Sequence, residues 1–291
     1  MRHAYVIAYP AGHSLSPAMH TAAFRALGLP GAYEAWAVPP DELPAAFKRL
    51  RQPDTYGANV TVPHKEAAAK LVDELTDEAR ALGAVNTVVN VGGRLLGANT
   101  DPDGFAASLA AALPGYLDAL PAGMRALMIG AGGAARAVIW TLLSGGVQVD
   151  VLNRDQGRAE RLVAAFDPAG GRARAVRSDL SSYDLIVNTT SGGMAGGPDP
   201  HRLPLLTRAE LASARPGCAV VDLVYRPSVT PLLAAAAELG LRTENGVTML
   251  VGQGARSFTL WTGAEAPVAV MRAAVEAGLA GRWRAGNARL C

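Results

Sequence analysis

The chain has 291 residues, half of them hydrophobic, and a formal net charge of +2. That length suits two domains, each able to bury its own core. The charge is too mild for a nucleic-acid binder, which carries a clustered basic face, and no run of about 18 apolar residues offers a membrane span. The basic group Arg282-Trp283-Arg284 reads as a solvated tail. Of two cysteines, Cys218 sits in an apolar strand and Cys291 is the last residue. They form no CxxC, no zinc spacing and no disulfide framework, so no metal is expected and a reducing cytoplasm fits. The apolar run Ala4 to Ala8 is too short for a signal peptide.

Ala4 to Tyr9 reads as the first strand, followed by the polar turn Gly12-His13-Ser14-Leu15-Ser16-Pro17. Pro17 suits the first helical position and Ser16 the cap before it, with the helix running through Ala18 to Leu27. Ser14 and Ser16 beside free helix-start amides also make a carboxylate cradle. His13 is a lone histidine and is read as structural. Ala32 to Val38 alternates as a strand, and Asp41 to Leu50 is a helix with a capping start.

The stretch Gly57 to Lys65 then carries the most chemistry. Asn59-Val60-Thr61-Val62 alternates polar and apolar, so Asn59 and Thr61 share one side of a strand that Pro63 should end. A helix is expected from Lys65, extending toward Leu75. Lysine occurs only at positions 48, 65 and 70; every other strong base is arginine. Unlike arginine, a partly buried lysine can give up a proton. An amide, a hydroxyl and an ammonium at a strand end suit a small polyhydroxylated anion; a solvated helix-start lysine is the alternative. Gly83 to Val89 leads into a strand, Gly92-Gly93 turns it, and Asn99-Thr100-Asp101 precedes a helix starting near Asp103. Asp101 either caps that helix or faces Lys65 across a cleft and helps pass a proton.

After a loop holding Pro114 and Pro121, strand Arg125 to Ile129 runs into Gly130-Ala131-Gly132-Gly133-Ala134-Ala135, which opens helix Ala134 to Leu143. Strand Val147 to Leu152 completes a βαβ unit, the context in which such a turn binds a dinucleotide pyrophosphate. The second strand ends in Asn153-Arg154-Asp155, with Arg158 one turn on. Arginine there favours a ribose 2′-phosphate and hence NADP. Asp150 lies mid-strand, while Asp155 is either a helix cap or a ribose ligand. Strand Tyr183 to Val187 ends in Asn188-Thr189-Thr190-Ser191-Gly192, and strand Ala219 to Val224 ends at Tyr225. Polar residues at such ends lie where open α/β sheets take ligands. Thr230-Pro231 starts a helix, Gly246 to Gly254 reads as a buried helix with Gln253 its polar exception, and Ala266 to Ala280 closes the chain as an amphipathic helix. Phe258, Leu260 and Trp261 read as core.

Taken together these motifs resemble the shikimate dehydrogenase family over nearly the whole chain. The resemblance rests on Ser14-Leu15-Ser16-Pro17, Asn59 to Lys65, Gly83 to Thr87, Asn99-Thr100-Asp101, Gly130 to Ala134, Asn153-Arg154, Asn188 to Gly192, Asp222 to Tyr225, and Met249-Leu250 with Gln253. It implies a two-domain α/β protein with a cleft between the domains. A substrate-binding domain would take residues 1–101 and 246–291, and an inserted Rossmann-type NADP domain residues 102–245. The implied reaction is reversible reduction of 3-dehydroshikimate to shikimate with NADPH, a step of aromatic amino-acid biosynthesis. By the same resemblance Ser14 and Ser16 hold the substrate carboxylate with Tyr225 nearby, and Asn59, Thr61, Asn86, Asp101 and Gln253 hold ring hydroxyls. Lys65 and Asp101 form the proton-transfer pair. Gly130, Ala131, Gly132, Gly133 and Ala134 cradle the pyrophosphate. Asn153, Arg154 and Arg158 take the 2′-phosphate end, and Thr190, Leu223, Gly246 and Met249 line the ribose and nicotinamide. Partners are small molecules, with room for a homodimer.

The chain departs from the family pattern in three places. Asp155 stands where threonine is usual, Thr248 where glycine is usual, and Gly252 and Gly254 flank Gln253 where alanine is common. The first bears on the choice of NADP over NAD; the second reading is a quinate/shikimate dehydrogenase with relaxed substrate or NAD/NADP choice, in which the Ser14/Ser16 pair would have to admit quinate's extra hydroxyl. The second departure could crowd the nicotinamide, and the third could loosen the helix. A methylenetetrahydrofolate dehydrogenase and an NADP-sensing binding protein are the more distant readings; the Ser14/Ser16 and Lys65/Asp101 groups argue against them.

Overall fold

The computed structural model describes residues 1–12, 14–113, 123–176 and 179–281. His13, the loop with Pro114 and Pro121, the Arg282-Trp283-Arg284 tail and Cys291 lie outside the described residues. The chain separates into two compact units, Met1–Thr100 with the chain from Val251, and Asp101–Leu250.

The first unit is built on a mixed sheet. Its strands are β1 (Arg2–Ala8), β2 (Gly31–Ala37), β3 (Thr55–Val60), β4 (Glu74–Leu75), β5 (Thr87–Val91) and β6 (Arg94–Ala98). They lie in the order β2-β1-β3-β5-β6-β4. β1 runs parallel to β2 and β3, β5 antiparallel to β3 and β6, and β4 parallel to β6. One group of apolar side chains, including Ile7, Phe47, Leu50, Val60 and Leu95, forms a core with helix Leu43–Leu50. A second group is aromatic: Tyr33, Phe258 and Trp261 pack around the His20 ring, and Phe24 packs on Phe258.

Several local expectations change here. β3 is buried at every position rather than on one face: Ala58 and Val60 lie in the core with helix Leu43–Leu50, while Tyr56 stacks on Phe24 and Asn59 meets Ser257. It ends at Val60, although the Thr61 amide still donates to the Ile7 carbonyl at 3.0 Å. The peptide bond that follows, Val62–Pro63, is cis. The helix expected from Lys65 to Leu75 covers only Lys65–Ala68, and two short elements succeed it: β4 and helix Asp77–Leu82, capped by the Thr76 hydroxyl on the Ala79 amide. Helix Leu43–Leu50 begins after a 3-10 turn, Pro40–Glu42, with no side-chain cap.

The second unit holds a fully parallel sheet. Its strands are β7 (Arg125–Ile129), β8 (Gln148–Leu152), β9 (Ala173–Arg174), β10 (Leu185–Asn188), β11 (Ala219–Asp222) and β12 (Arg242–Glu244), in the order β12-β11-β10-β7-β8-β9. The chain order reverses between β7 and β10, the place where open parallel sheets bind nucleotides. Separate apolar groups pack beside it, one with Val138, Leu142 and Val149, the other with Leu127, Ile186 and Leu232. Burial on both faces explains why these strands read as continuous apolar runs. Cys218 is fully buried, which pushes its thiol up to about 12. Among the described residues, no helix is long and apolar enough to cross a membrane.

Candidate functional site

In the first unit the serine turn differs from the expected cap. The helix is Ser16–Ala26 with Leu15 at the cap position and no side-chain cap bond, and Pro17 lies in its first turn. Ser16 is therefore the first helical residue. Its amide donates to Ser14 Oγ at 3.2 Å, so Ser14 takes up one free helix-start amide.

Behind this turn lies a buried polar chain. Tyr33 donates its hydroxyl to Asn59 Oδ1 at 2.7 Å. Burial holds the Tyr33 phenol well above its ordinary value, and a hydrogen bond with Ser16 pulls the other way. Asn59 Nδ2 faces the Ser257 and Thr87 hydroxyls at 2.9 and 3.2 Å and the Asn86 carbonyl at 3.3 Å. Asn86 Oδ1 accepts from the Thr100 amide at 2.8 Å and the Thr87 hydroxyl at 2.9 Å, and Asn86 Nδ2 donates to Thr100 Oγ1 at 3.1 Å. Ser16, Asn59 and Asn86 are thus joined in one network. Asn59, expected to hold a ring hydroxyl, spends its amide inside the protein and fixes its neighbours. Tyr33, Thr87, Thr100 and Ser257 were not singled out from sequence: Asn59 and Ser257 lie 198 positions apart, and no local pattern links them.

Lys65 opens its short helix, and its carbonyl accepts from the Val85 amide at 2.9 Å. This ties the lysine backbone to the residue before Asn86. Thr61 and Gln253 are partly buried. The Gln253 carbonyl accepts from the Ser257 hydroxyl at 2.9 Å. Gly254 does not loosen its helix. A Cβ there would meet Met19 Cε at 2.2 Å, so glycine allows Met19 and His20 to press against the helix backbone. Phe258 and Trp261 are buried core, as expected, and Leu260 is half-buried.

In the second unit Asp101 is the first residue of helix Asp101–Ala112 rather than a residue before it, and is 6% exposed. The glycine-rich turn joins β7 to helix Gly133–Ser144. Gly130 has φ +109°, and a Cβ on it would lie 2.4 Å from Thr189 Oγ1. Gly132 and Gly133 have no atom within 4 Å of where a Cβ would sit, which leaves space over the helix start. A turn of this form with free amides fits a pyrophosphate. The third small position, Ala135, is fully buried against the sheet core.

The acidic alternatives also separate. Asp150 is 3% exposed and accepts from Arg125, Arg174 and the Tyr183 hydroxyl, so it is structural. Asp155 caps helix Gln156–Phe166, accepting from the Arg158 amide at 3.0 Å, and its own carbonyl accepts from Asn153 Nδ2 at 2.8 Å. A cavity of about 840 Å³ is lined by Asn153, Arg154, Asp155, Arg158 and Thr190, among others. The strand-end turn is fixed by Asn188, whose Oδ1 accepts from the Thr190 amide and hydroxyl and whose Nδ2 donates to Asp222 at 2.8 Å. Asp222 also accepts from Thr230 at 2.6 Å and the Val224 amide at 3.1 Å; burial raises its carboxyl, and these bonds oppose that. Burial likewise raises the Tyr225 phenol. Gly246 starts helix Gly246–Thr262, and its amide donates to the Val224 carbonyl at 3.1 Å. A Cβ there would lie 2.1 Å from the Leu223 carbonyl oxygen. Met249 packs into the core beside β7, and the Thr248 hydroxyl is bound to Glu244 at 2.5 Å. Glycine turn, open helix start and arginine-lined cavity therefore fit an adenine dinucleotide with an extra phosphate.

Three family models match the chain: the shikimate dehydrogenase substrate-binding domain over residues 6–88, shikimate/quinate 5-dehydrogenase over 118–195, and the shikimate 5′-dehydrogenase C-terminal domain over 246–276. A shikimate dehydrogenase (NADP(+)) of Geobacter metallireducens is 42% identical, covering 94% of this chain and 96% of its own length. The Thermus thermophilus shikimate 5-dehydrogenase in complex with NADP(H) and shikimate is 41% identical, with a TM-score of 0.83 over 95% of this chain and 99% of that one. A quinate dehydrogenase of Corynebacterium glutamicum in complex with NAD is 30% identical, also with a TM-score of 0.83, over 95% of this chain and 99% of that one.

Proposed function

The chain belongs to the shikimate dehydrogenase family, and we propose that it carries out the NADP-dependent, reversible reduction of 3-dehydroshikimate to shikimate, an oxidoreductase step acting on a CH–OH group in aromatic amino-acid biosynthesis. The observation that carries this reading is the relatedness to NADP(+)-dependent shikimate dehydrogenases over almost the full chain, together with a glycine turn and an arginine-lined cavity suited to that cofactor.

In this reading Ser14 and Ser16 receive the substrate carboxylate beside a helix start, with Tyr225 assisting. Thr61, Asn86 and Gln253 bind ring hydroxyls, and Asn59 keeps Asn86 and Tyr33 in place. When bound, the reduced nicotinamide supplies the hydride. As charge grows on the substrate oxygen, the Lys65 ammonium stabilises it and delivers the proton. Asp101 orients that ammonium and shares its proton. Arg154 and Arg158 grip the 2′-phosphate. Thr190, Leu223, Gly246 and Met249 line the ribose and nicotinamide. The substrate domain of this reading comprises residues 1–101 and 246–291, with 102–245 as the cofactor domain. A cytoplasmic location, with which the free Cys218 agrees, and room for a homodimer belong to the same proposal.

A quinate-using or NAD-using enzyme is the second reading, favoured by the likeness to the NAD-bound quinate dehydrogenase. Asp155 would then serve the ribose; its role as a helix cap supports the first reading instead. Purified protein assayed with shikimate and quinate, each with NADP and NAD, separates the two. Turnover confined to shikimate and NADP is expected. Comparable rates with quinate or NAD would select the second reading, and no turnover with any pair would end both.

A further inference from the structure

The cavity that holds Arg154 and Arg158 has a second basic contributor. Besides the residues that follow β8, its lining includes the segment after β10, with His201 and Arg202. Both stretches leave the C-terminal ends of parallel strands, one on each side of β7. The segment is anchored rather than loose. The Gly193 amide donates to the Asp199 carbonyl at 3.0 Å, and the Gly192 amide to Thr190 Oγ1 at 3.1 Å.

The strongly charged residues that line this space are three arginines, Arg154, Arg158 and Arg202, against Asp155 and Asp199. Asp155 is already engaged by the Arg158 amide. A ribose diol asks for a carboxylate acceptor, whereas a phosphate dianion asks for planar forks of donors that never lose their charge. Two arginines on one stretch and a third on another can grip such a dianion from different directions. The volume, about 840 Å³, suits a nucleoside-sized ligand.

We propose that Arg202 is a specificity-determining residue that binds the 2′-phosphate of NADP together with Arg154 and Arg158. The inference rests on the cofactor reading above and extends it to a residue outside the Asn153-Arg154 motif. It also accounts for tolerance of Asp155 beside the phosphate: the added guanidinium offsets the carboxylate.

The test is calorimetric titration of the full chain with adenosine 2′,5′-bisphosphate and, as the control lacking the 2′-phosphate, adenosine 5′-monophosphate. Arg202→Ala should weaken bisphosphate binding about tenfold or more, the size of one charge-assisted hydrogen bond. Monophosphate binding should stay within about twofold, since an exposed charge acts weakly at a distance. Arg202→Lys should fall between, because an ammonium lacks the fork. Equal weakening of both nucleotides, or of neither, overturns the assignment. A wild-type chain that fails to favour the bisphosphate sinks the NADP reading as well. A wild-type preference that survives in Arg202→Ala sinks this inference alone.

Discussion

Asn59 Nδ2 lies 2.9 Å from the hydroxyl of Ser257, a residue on a helix contributed by the far end of the chain. That contact closes a network whose other members include Tyr33, Thr87, Asn86 and Thr100. Each member is buried or nearly so, and each lost partner strands another polar group. Asn59→Ala should therefore cost roughly 1–3 kcal/mol for each group left unsatisfied. Ser257→Ala should cost less, since Asn59, Thr87 and Thr100, which face its hydroxyl, retain other partners. Urea unfolding of both variants measures this. Equal stability to wild type would mean that water replaces the missing groups.

Lys65→Ala should lose most of kcat, about 10²–10⁴-fold for a removed general acid, while NADPH binding is unchanged. Steady-state rates paired with fluorescence titration of NADPH separate the two effects. Normal turnover would take the proton-transfer role away from Lys65.

Asp155→Ala should destabilise the protein by about 1 kcal/mol, the worth of an N-cap, and leave the NADP-to-NAD preference where it was. Thermal melts give the first quantity and initial rates with the two cofactors the second. A variant that loses NAD activity selectively would show Asp155 to be a ribose ligand.

His20 sets an acid limit. Its ring is fully buried, stacks on Tyr33 at 4.3 Å, and has no hydrogen-bond partner on either nitrogen among the described residues. Burial lowers it from 6.5 to about 3, against a small opposing pull from nearby Asn59. The folded form thus keeps the neutral ring while the unfolded chain takes up the proton. Stability from this group is complete above the unfolded value and is lost as pH falls from 6.5 toward 3, by up to about 1.4 kcal/mol per pH unit. Urea midpoints followed over that range should flatten in His20→Phe, after allowance for the carboxylates. An unchanged slope would assign the acid loss to other groups.

Much of this was legible because it is local. The turn Gly130 to Gly133, the basic residues after β8 and the parallel strands each announce themselves within a dozen positions. Asp155 illustrates the limit: the sequence allowed a cap or a ligand, and the 3.0 Å bond from the Arg158 amide, which favours the cap, is visible only in the structure. β4 escaped notice because two residues carry no periodicity. Ser16 was misplaced by one position because Ser14, not Ser16, accepts the helix-start amide. Tyr33 and Ser257 were missed because their partners come from elsewhere in the chain, and hydroxyls on apolar elements look like ordinary tolerance until the contacts are seen.

Helix Ser16–Ala26 packs against helix Val268–Leu279, which is made only after the whole of the intervening second unit. The fit is close: a Cβ at Gly278 would come within 2.8 Å of Leu15 Cδ2. During synthesis on the ribosome, Leu15 and Met19 therefore stay uncovered until the segments holding Gly278 and Gly254 have emerged. The intervening segment can complete its parallel sheet in the meantime. The order of assembly thus inverts the order of translation, and a nascent chain stalled before Val268 would be a substrate for chaperones rather than for chemistry.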